Sequence, residues 1–172
     1  MSSDQGTVYA AFIEEQLKSE LARRTSLDER GSKLQQSASV TVGLFVAALG
    51  TLLGRDQRLT GAGLTMFVLT VAFLVLSFLG GVVTTVLFRY RMATPSTLRK
   101  MLGAEHWMDT EVTSRNFAAW LNVTTLERLR PGNNVKALAL TVGIAAQGLG
   151  VIAGVATFGL VAAGLLGAPA AP

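Results

Sequence analysis

Residues 34–88 read LQQSASVTVGLFVAALGTLLG (34–54), RDQR (55–58) and LTGAGLTMFVLTVAFLVLSFLGGVVTTVLF (59–88), and how they are read decides the fold. Two apolar runs free of charged residues are separated by four polar ones. A membrane-spanning helix needs about 20 predominantly apolar residues to cross roughly 30 Å of hydrocarbon. Both runs qualify, so residues 37–88 read as a transmembrane hairpin with spans at about 38–54 and 60–88 and Arg55-Asp56-Gln57-Arg58 at the tip. The second run would extend about 45 Å as a helix, and tilt or protrusion must absorb the surplus. It ends against Arg89-Tyr90-Arg91, an aromatic between two cations, suited to the headgroup zone.

Working outward to the N-terminal side, residues 1–36 are polar and charged. From about Thr7 to Lys33 they predict a helix with an apolar stripe of Ala10, Ile13, Leu17 and Leu21. Glu14 with Lys18, Glu20 with Arg24 and Glu29 with Lys33 are i, i+4 pairs with the acid first, the favourable order. Leu27 and Leu34 extend the stripe at heptad spacing, which would allow helical self-association. Ser26 and Glu29 fit a capping box, allowing a break near Thr25. A cleavable signal peptide is not expected, since the first 33 residues hold no apolar core of the required length.

On the other side, residues 89–136 form a polar segment too long for a simple loop. Thr94-Pro95 predicts the cap and first position of a short helix ending near Gly103. A second helix is expected from about Asp109 to Arg130, stopped by Pro131-Gly132, with Trp120 and Val123 on its apolar side. That side calls for burial, most simply against the N-terminal helix, so Ile13, Leu17, Leu21, Trp120 and Val123 make up a candidate interaction face. Asn133 or Asn134 then caps a third span within 137–167, followed by a short tail at 168–172. Fold class is therefore all-α: a polytopic membrane protein with three transmembrane helices and amphipathic helices beside them.

Composition agrees. Of 172 residues, 50% are hydrophobic and 15% charged, and mean hydropathy is +0.45. Lys and Arg number 15 against 11 acids, but the excess flanks the apolar runs, which speaks for topology and not for nucleic acid as a partner. Five cations precede the first span and eight lie between the second and third, against Arg55 and Arg58 at the tip. The positive-inside rule then puts the N-terminus and 89–136 in the cytoplasm, and the tip and C-terminus on the other side of the membrane.

Chemistry-bearing residues are sparse. The chain has no cysteine, which excludes disulfides, thiolate metal sites and thiol nucleophiles. His106 is the only histidine, and with Glu105 and Asp109 it falls short of a metal-ligand or nucleophile–base constellation. Neither a cofactor nor an enzymatic activity is expected. Within the spans, small residues are the conspicuous pattern. Gly43, Gly50 and Gly54 share a face of the first span, and Gly150 and Gly154 share one of the third. Both Gly50–Gly54 and Gly150–Gly154 are GxxxG sequences, a motif that lets helix backbones approach closely. Gln147, one turn before Gly150, needs a hydrogen-bond partner in hydrocarbon, either within the chain or in another protomer.

Glu20-Leu-Ala-Arg-Arg-Thr-Ser-Leu-Asp-Glu-Arg-Gly31 leading into a span, and Asn133-Asn-Val-Lys-Ala-Leu-Ala-Leu-Thr-Val-Gly-Ile-Ala-Ala-Gln147, resemble small actinobacterial integral membrane proteins, some labelled plasmid-transfer membrane proteins. The layout is also similar to the membrane effectors of Pycsar- and SLATT-type antiphage systems. The residues read as a non-enzymatic, homo-oligomeric anchor, scaffold or membrane effector, and the resemblances imply a link to mobile elements, either plasmid transfer or antiphage defence. Its partners would be the lipid bilayer, further copies of itself and a cytoplasmic protein. The alternative is a subunit of an oligomeric channel or transporter with Gln147 and the span threonines around its axis.

Overall fold

The computed structural model describes residues 4–53, 61–86 and 95–167. Among these the protein is entirely α-helical: α1 (Asp4–Leu53), α2 (Gly61–Thr85), α3 (Pro95–Met101), α4 (Ala104–Trp107) and α5 (Glu111–Gly167). The expected hairpin tip, Gly54, the Thr94 cap and the tail at 168–172 lie outside the described residues. α2 and the Glu111–Ala163 part of α5 are long and apolar enough to cross a membrane.

Local chemistry accounts for several boundaries. α3 opens on Pro95, whose missing N–H is an orphan donor at that position anyway, and ends with Arg99 and Lys100 near its negative pole. The Thr113 amide donates to Thr110 Oγ1 at 3.3 Å, so Thr110 caps α5, with Glu111 in the first turn. Two expected interruptions do not occur. α1 is unbroken at Thr25, whose hydroxyl donates back to the Leu21 carbonyl, while Leu27 beyond it is buried. α5 runs straight through Pro131-Gly132, and neither Asn133 nor Asn134 is a cap. A proline inside a helix costs about 3 kcal/mol. Here its ring is exposed, and the turns around it bury Leu129 and give Asn133 two hydrogen bonds to α1, enough to override the local rule.

The chain divides into two compact units, Met1–Leu27 with Leu87–Lys136 and Asp28–Val86 with Ala137–Pro172. In the first, the N-terminal part of α1 pairs in parallel with the start of α5. Thr7 meets Arg115, Gln16 meets Arg130 and Arg23 meets Asn134, ascending together along both helices. In the second, α1 and α5 are again parallel and α2 is antiparallel to both. Gly31 lies against Thr84 near the end of α2, and Phe45 stacks on Phe67 near its start.

The buried residues of α2 are Gly63, Thr70, Leu74, Ser77, Gly81 and Thr84, stepping by four and three from Thr70 onward. Leu140, Gly143, Gly150 and Thr157 keep the same seven-residue phase on α5. Seven-residue periodicity is the seam of left-handed helix packing. At one end of this unit Phe45, Leu49 and Val161 form a core with Phe67 and Phe158 against it, the Phe45 and Phe158 rings meeting edge to face at 5.3 Å.

Candidate functional site

The second unit is apolar on its outside as well as in its core, and it buries hydroxyls among the apolar side chains. Thr70, Ser77, Thr84 and Thr157 are at most 1% exposed, whereas Leu44, Ile152 and Val155 are each 67% exposed. Three of these hydroxyls are accommodated by the helices themselves: Thr70 donates to the Met66 carbonyl at 2.8 Å, Thr84 to Gly81 at 2.6 Å and Thr157 to Ala153 at 2.9 Å, whereas Ser77 Oγ has no hydrogen-bond partner among the described residues. These back-bonds remove the desolvation penalty of an unsatisfied donor, so a small hydroxyl can fill a position where Leu would push the helices apart.

Glycines set the closest approaches. A side chain on Gly31 would run into the Thr84 hydroxyl, and one on Gly81 would meet the Gly31 carbonyl at 2.8 Å. One on Gly80 would lie 2.8 Å from the Ala139 carbonyl and 2.9 Å from Gly143 Cα. Gly31, Gly80, Gly81 and Gly143 thus bring all three helices of this unit together backbone to backbone. Near this level Gln35 Nε2 donates to Thr85 Oγ1 at 3.0 Å. Gln147 Nε2 donates to Ser37 Oγ at 2.6 Å, so the amide finds its partner within the chain.

The sequence-predicted packing glycines divide. Gly150 sits against Leu74 and Phe73, and Gly154 against Phe45 and Thr70. Around Gly43 and Gly50 nothing among the described residues lies within 4 Å of where a Cβ would stand, so these two glycines do not set a close helix approach there. The GxxxG spacing identified a small-residue face but not its direction. The glycines that do the closest packing, Gly31, Gly80, Gly81 and Gly143, were missed because they follow no GxxxG spacing. Beside Gly150 and Gly154 a groove of about 280 Å³ opens between α1 and α5, rimmed by Leu44, Val151 and Val155.

In the first unit the centre of interaction is Glu20. Its carboxylate receives Asn133 Nδ2 at 2.8 Å and lies 3.5 Å from Arg130 Nε and 3.6 Å from an Arg23 guanidinium nitrogen. Asn133 and Lys136 are wholly buried, and Lys136 is not without a partner. Of the sequence-predicted interaction face, Ile13, Leu17, Leu21 and Val123 are half-buried, and Trp120 is exposed with its ring stacked on Phe117.

His106 Nδ1 lies 3.1 Å from Asp109 Oδ2, and its ring runs parallel to Phe117 with centroids 6.1 Å apart. With Met101, Ser114 and Ala118 these residues line a cavity of about 410 Å³. Asp109 orients the imidazole, but among the described residues no group of three His, Asp or Glu comes close enough to hold a metal ion. Further along α1, Lys18 Nζ bonds Glu14 Oε1 at 2.7 Å. That hydrogen bond and the opposite charge hold the Glu14 carboxyl below its ordinary range and raise the Lys18 ammonium.

No protein family, no curated protein and no solved structure matches this chain.

Proposed function

We propose that the chain is an integral anchor of the bacterial inner membrane whose work is done through helix contacts. The apolar half of α1, α2 and the 137–167 part of α5 would be its three spans. The N-terminus and 89–136 face the cytoplasm, and the hairpin tip and C-terminus lie outside. The observation that carries this reading is the apolar exterior of the second unit, where Leu44, Ile152 and Val155 are exposed while the hydroxyls of Thr70, Ser77, Thr84 and Thr157 are packed inside with Leu74, Leu140 and Ala146. Water would penalise that arrangement, whereas hydrocarbon favours it, because apolar outer side chains gain nothing from burial when lipid is the solvent. The Gln147–Ser37 hydrogen bond supports an anchor over a polar ring between protomers, since the amide is already used.

In this reading the α1–α5 pair of the first unit carries the contacts to a cytoplasmic partner, and Gly43 and Gly50, open on α1, serve a second copy of the chain. The place in mobile-element biology, plasmid transfer or antiphage defence, rests on the sequence resemblance alone.

The absence of cysteine makes the test direct, because each introduced thiol is unique. Leu44→Cys, Val68→Cys and Ile152→Cys should resist a water-soluble maleimide in intact membranes and react after detergent solubilisation. Cysteine near the N-terminus should react only when the cytoplasmic side is opened. Ready labelling of Val68→Cys and Ile152→Cys in intact membranes would sink the proposal.

A further inference from the structure

α3 and the turn after it expose an apolar pair beside a cationic pair. Leu98 and Leu102 are 51% and 71% exposed, four residues apart and therefore on one side of the turn. Arg99 and Lys100 follow Leu98 directly and are exposed as well. Apolar side chains flanked by cations are unfavourable in water and match the boundary between headgroups and acyl chains. Charge gives the direction of preference. The sequence from Val86 to Asp109 contains Arg89, Arg91, Arg99 and Lys100 against Glu105 and Asp109, a net excess of two cations, and both acids follow α3. α3 also starts ten residues after Thr85, the end of a helix apolar enough to cross a membrane, and ten residues reach at most about 35 Å.

We infer that α3 is a membrane-surface element that recognises anionic phospholipid: Leu98 and Leu102 enter the acyl boundary, and Arg99 and Lys100 bind headgroup phosphates. The inference rests on the membrane reading above and adds a lipid class and a site to it. Each cation near an anionic surface contributes enough that removing both lowers the docked-to-undocked ratio by roughly 30-fold. Screening by salt acts in the same direction.

The full chain carrying Leu102→Cys, labelled with an environment-sensitive fluorophore, would be reconstituted into vesicles of phosphatidylcholine alone or mixed with phosphatidylglycerol. Doxyl-labelled lipids then report contact with the acyl region, and a second protein labelled at Val68→Cys reports on α2. The expected result is quenching of the Val68 probe in both vesicles. Quenching of the Leu102 probe is expected only with phosphatidylglycerol, weakened by salt and lost in Arg99→Gln/Lys100→Gln. Leu102 unquenched in both while Val68 is quenched would overturn the inference and leave the membrane reading standing. Equal quenching of Leu102 in both vesicles would overturn the recognition of charge. A Leu102 thiol open in vesicles but protected in cells would assign the surface to a protein and overturn the lipid. An unquenched Val68 probe would overturn the membrane reading itself, and this inference with it.

Discussion

The side-chain amide of Asn133 donates to two oxygens of a single residue, the Glu20 backbone carbonyl at 2.9 Å and its carboxylate Oε2 at 2.8 Å. The amide orientation is fixed by this geometry, since its oxygen could not face either acceptor. Asn133→Ala removes two donors from a buried site and should cost about 1–3 kcal/mol. Asn133→Asp sets a carboxylate against Glu20 and should cost more, about 3 kcal/mol or above. Hydrogen exchange of the amides in residues 16–24 and 129–136 measures the local opening. Equal protection in Asn133→Asp and the parent protein would contradict the assignment.

Glycine substitutions should separate two faces of α1. Gly31→Ala drives a methyl into Thr84 and should destabilise by about 1–3 kcal/mol, the usual range for overpacking. Thr84→Ala should restore part of that loss, because the hydroxyl is the nearest obstacle. Gly43→Ala meets open space and gains helix propensity, so it should be neutral or stabilising by up to about 1 kcal/mol. Thermal unfolding in detergent distinguishes them. Gly43→Leu tests the proposed self-association: it should leave the unfolding temperature of the monomer in place, and under that proposal it should weaken cross-linking between copies.

Gln147 and Ser37 should couple. Interhelical hydrogen bonds in membrane proteins average about 0.6 kcal/mol in double-mutant cycles and reach about 1.7. Gln147→Leu, Ser37→Ala and the double variant should give an interaction energy in that range. A coupling of zero would mean that the 2.6 Å contact contributes nothing to stability.

The Glu14–Lys18 pair predicts a pH signature without a large stability effect, since both groups are exposed. The carboxyl titrates low, so its contribution is present above the unfolded glutamate range and is lost as pH falls through the folded value. The ammonium titrates high, so its contribution is present below the unfolded lysine range and is lost as pH rises through the folded value. In Lys18→Gln the Glu14 titration, followed by NMR, should move back up to the ordinary glutamate range. An unmoved midpoint would show that Lys18 is not the cause.

Helix content and the long apolar stretches were legible in the sequence because hydropathy over 20 residues is a strong signal. The direction each apolar helix faces was not. In α2 every side is apolar or small, so Ser77 and Gly81 on the seam look no different in sequence from residues pointing outward. For the same reason Gly43 and Gly50 could not be told from Gly80 and Gly81, while Gly31 stands among Asp28, Glu29, Arg30 and Lys33, where local charge hides a packing position. Pro131 shows the complementary limit. Its local chemistry says stop, and only the partners of Asn133 and the burial of Leu129, both long-range facts, explain why α5 continues.

The seven-residue phase of the buried positions bears on how such a chain can change in length. One residue turns a helix by about 100°, so deleting a single residue between Gly143 and Gly150 would swing Gly150 and Thr157 off the seam together. Deleting seven restores the phase but shortens α5 by about 10 Å against α1 and α2, which run beside it in the second unit. Length variants of this unit should therefore be rare unless all three helices lose or gain whole heptads together, and point substitution is the easier route by which the sequence can diverge.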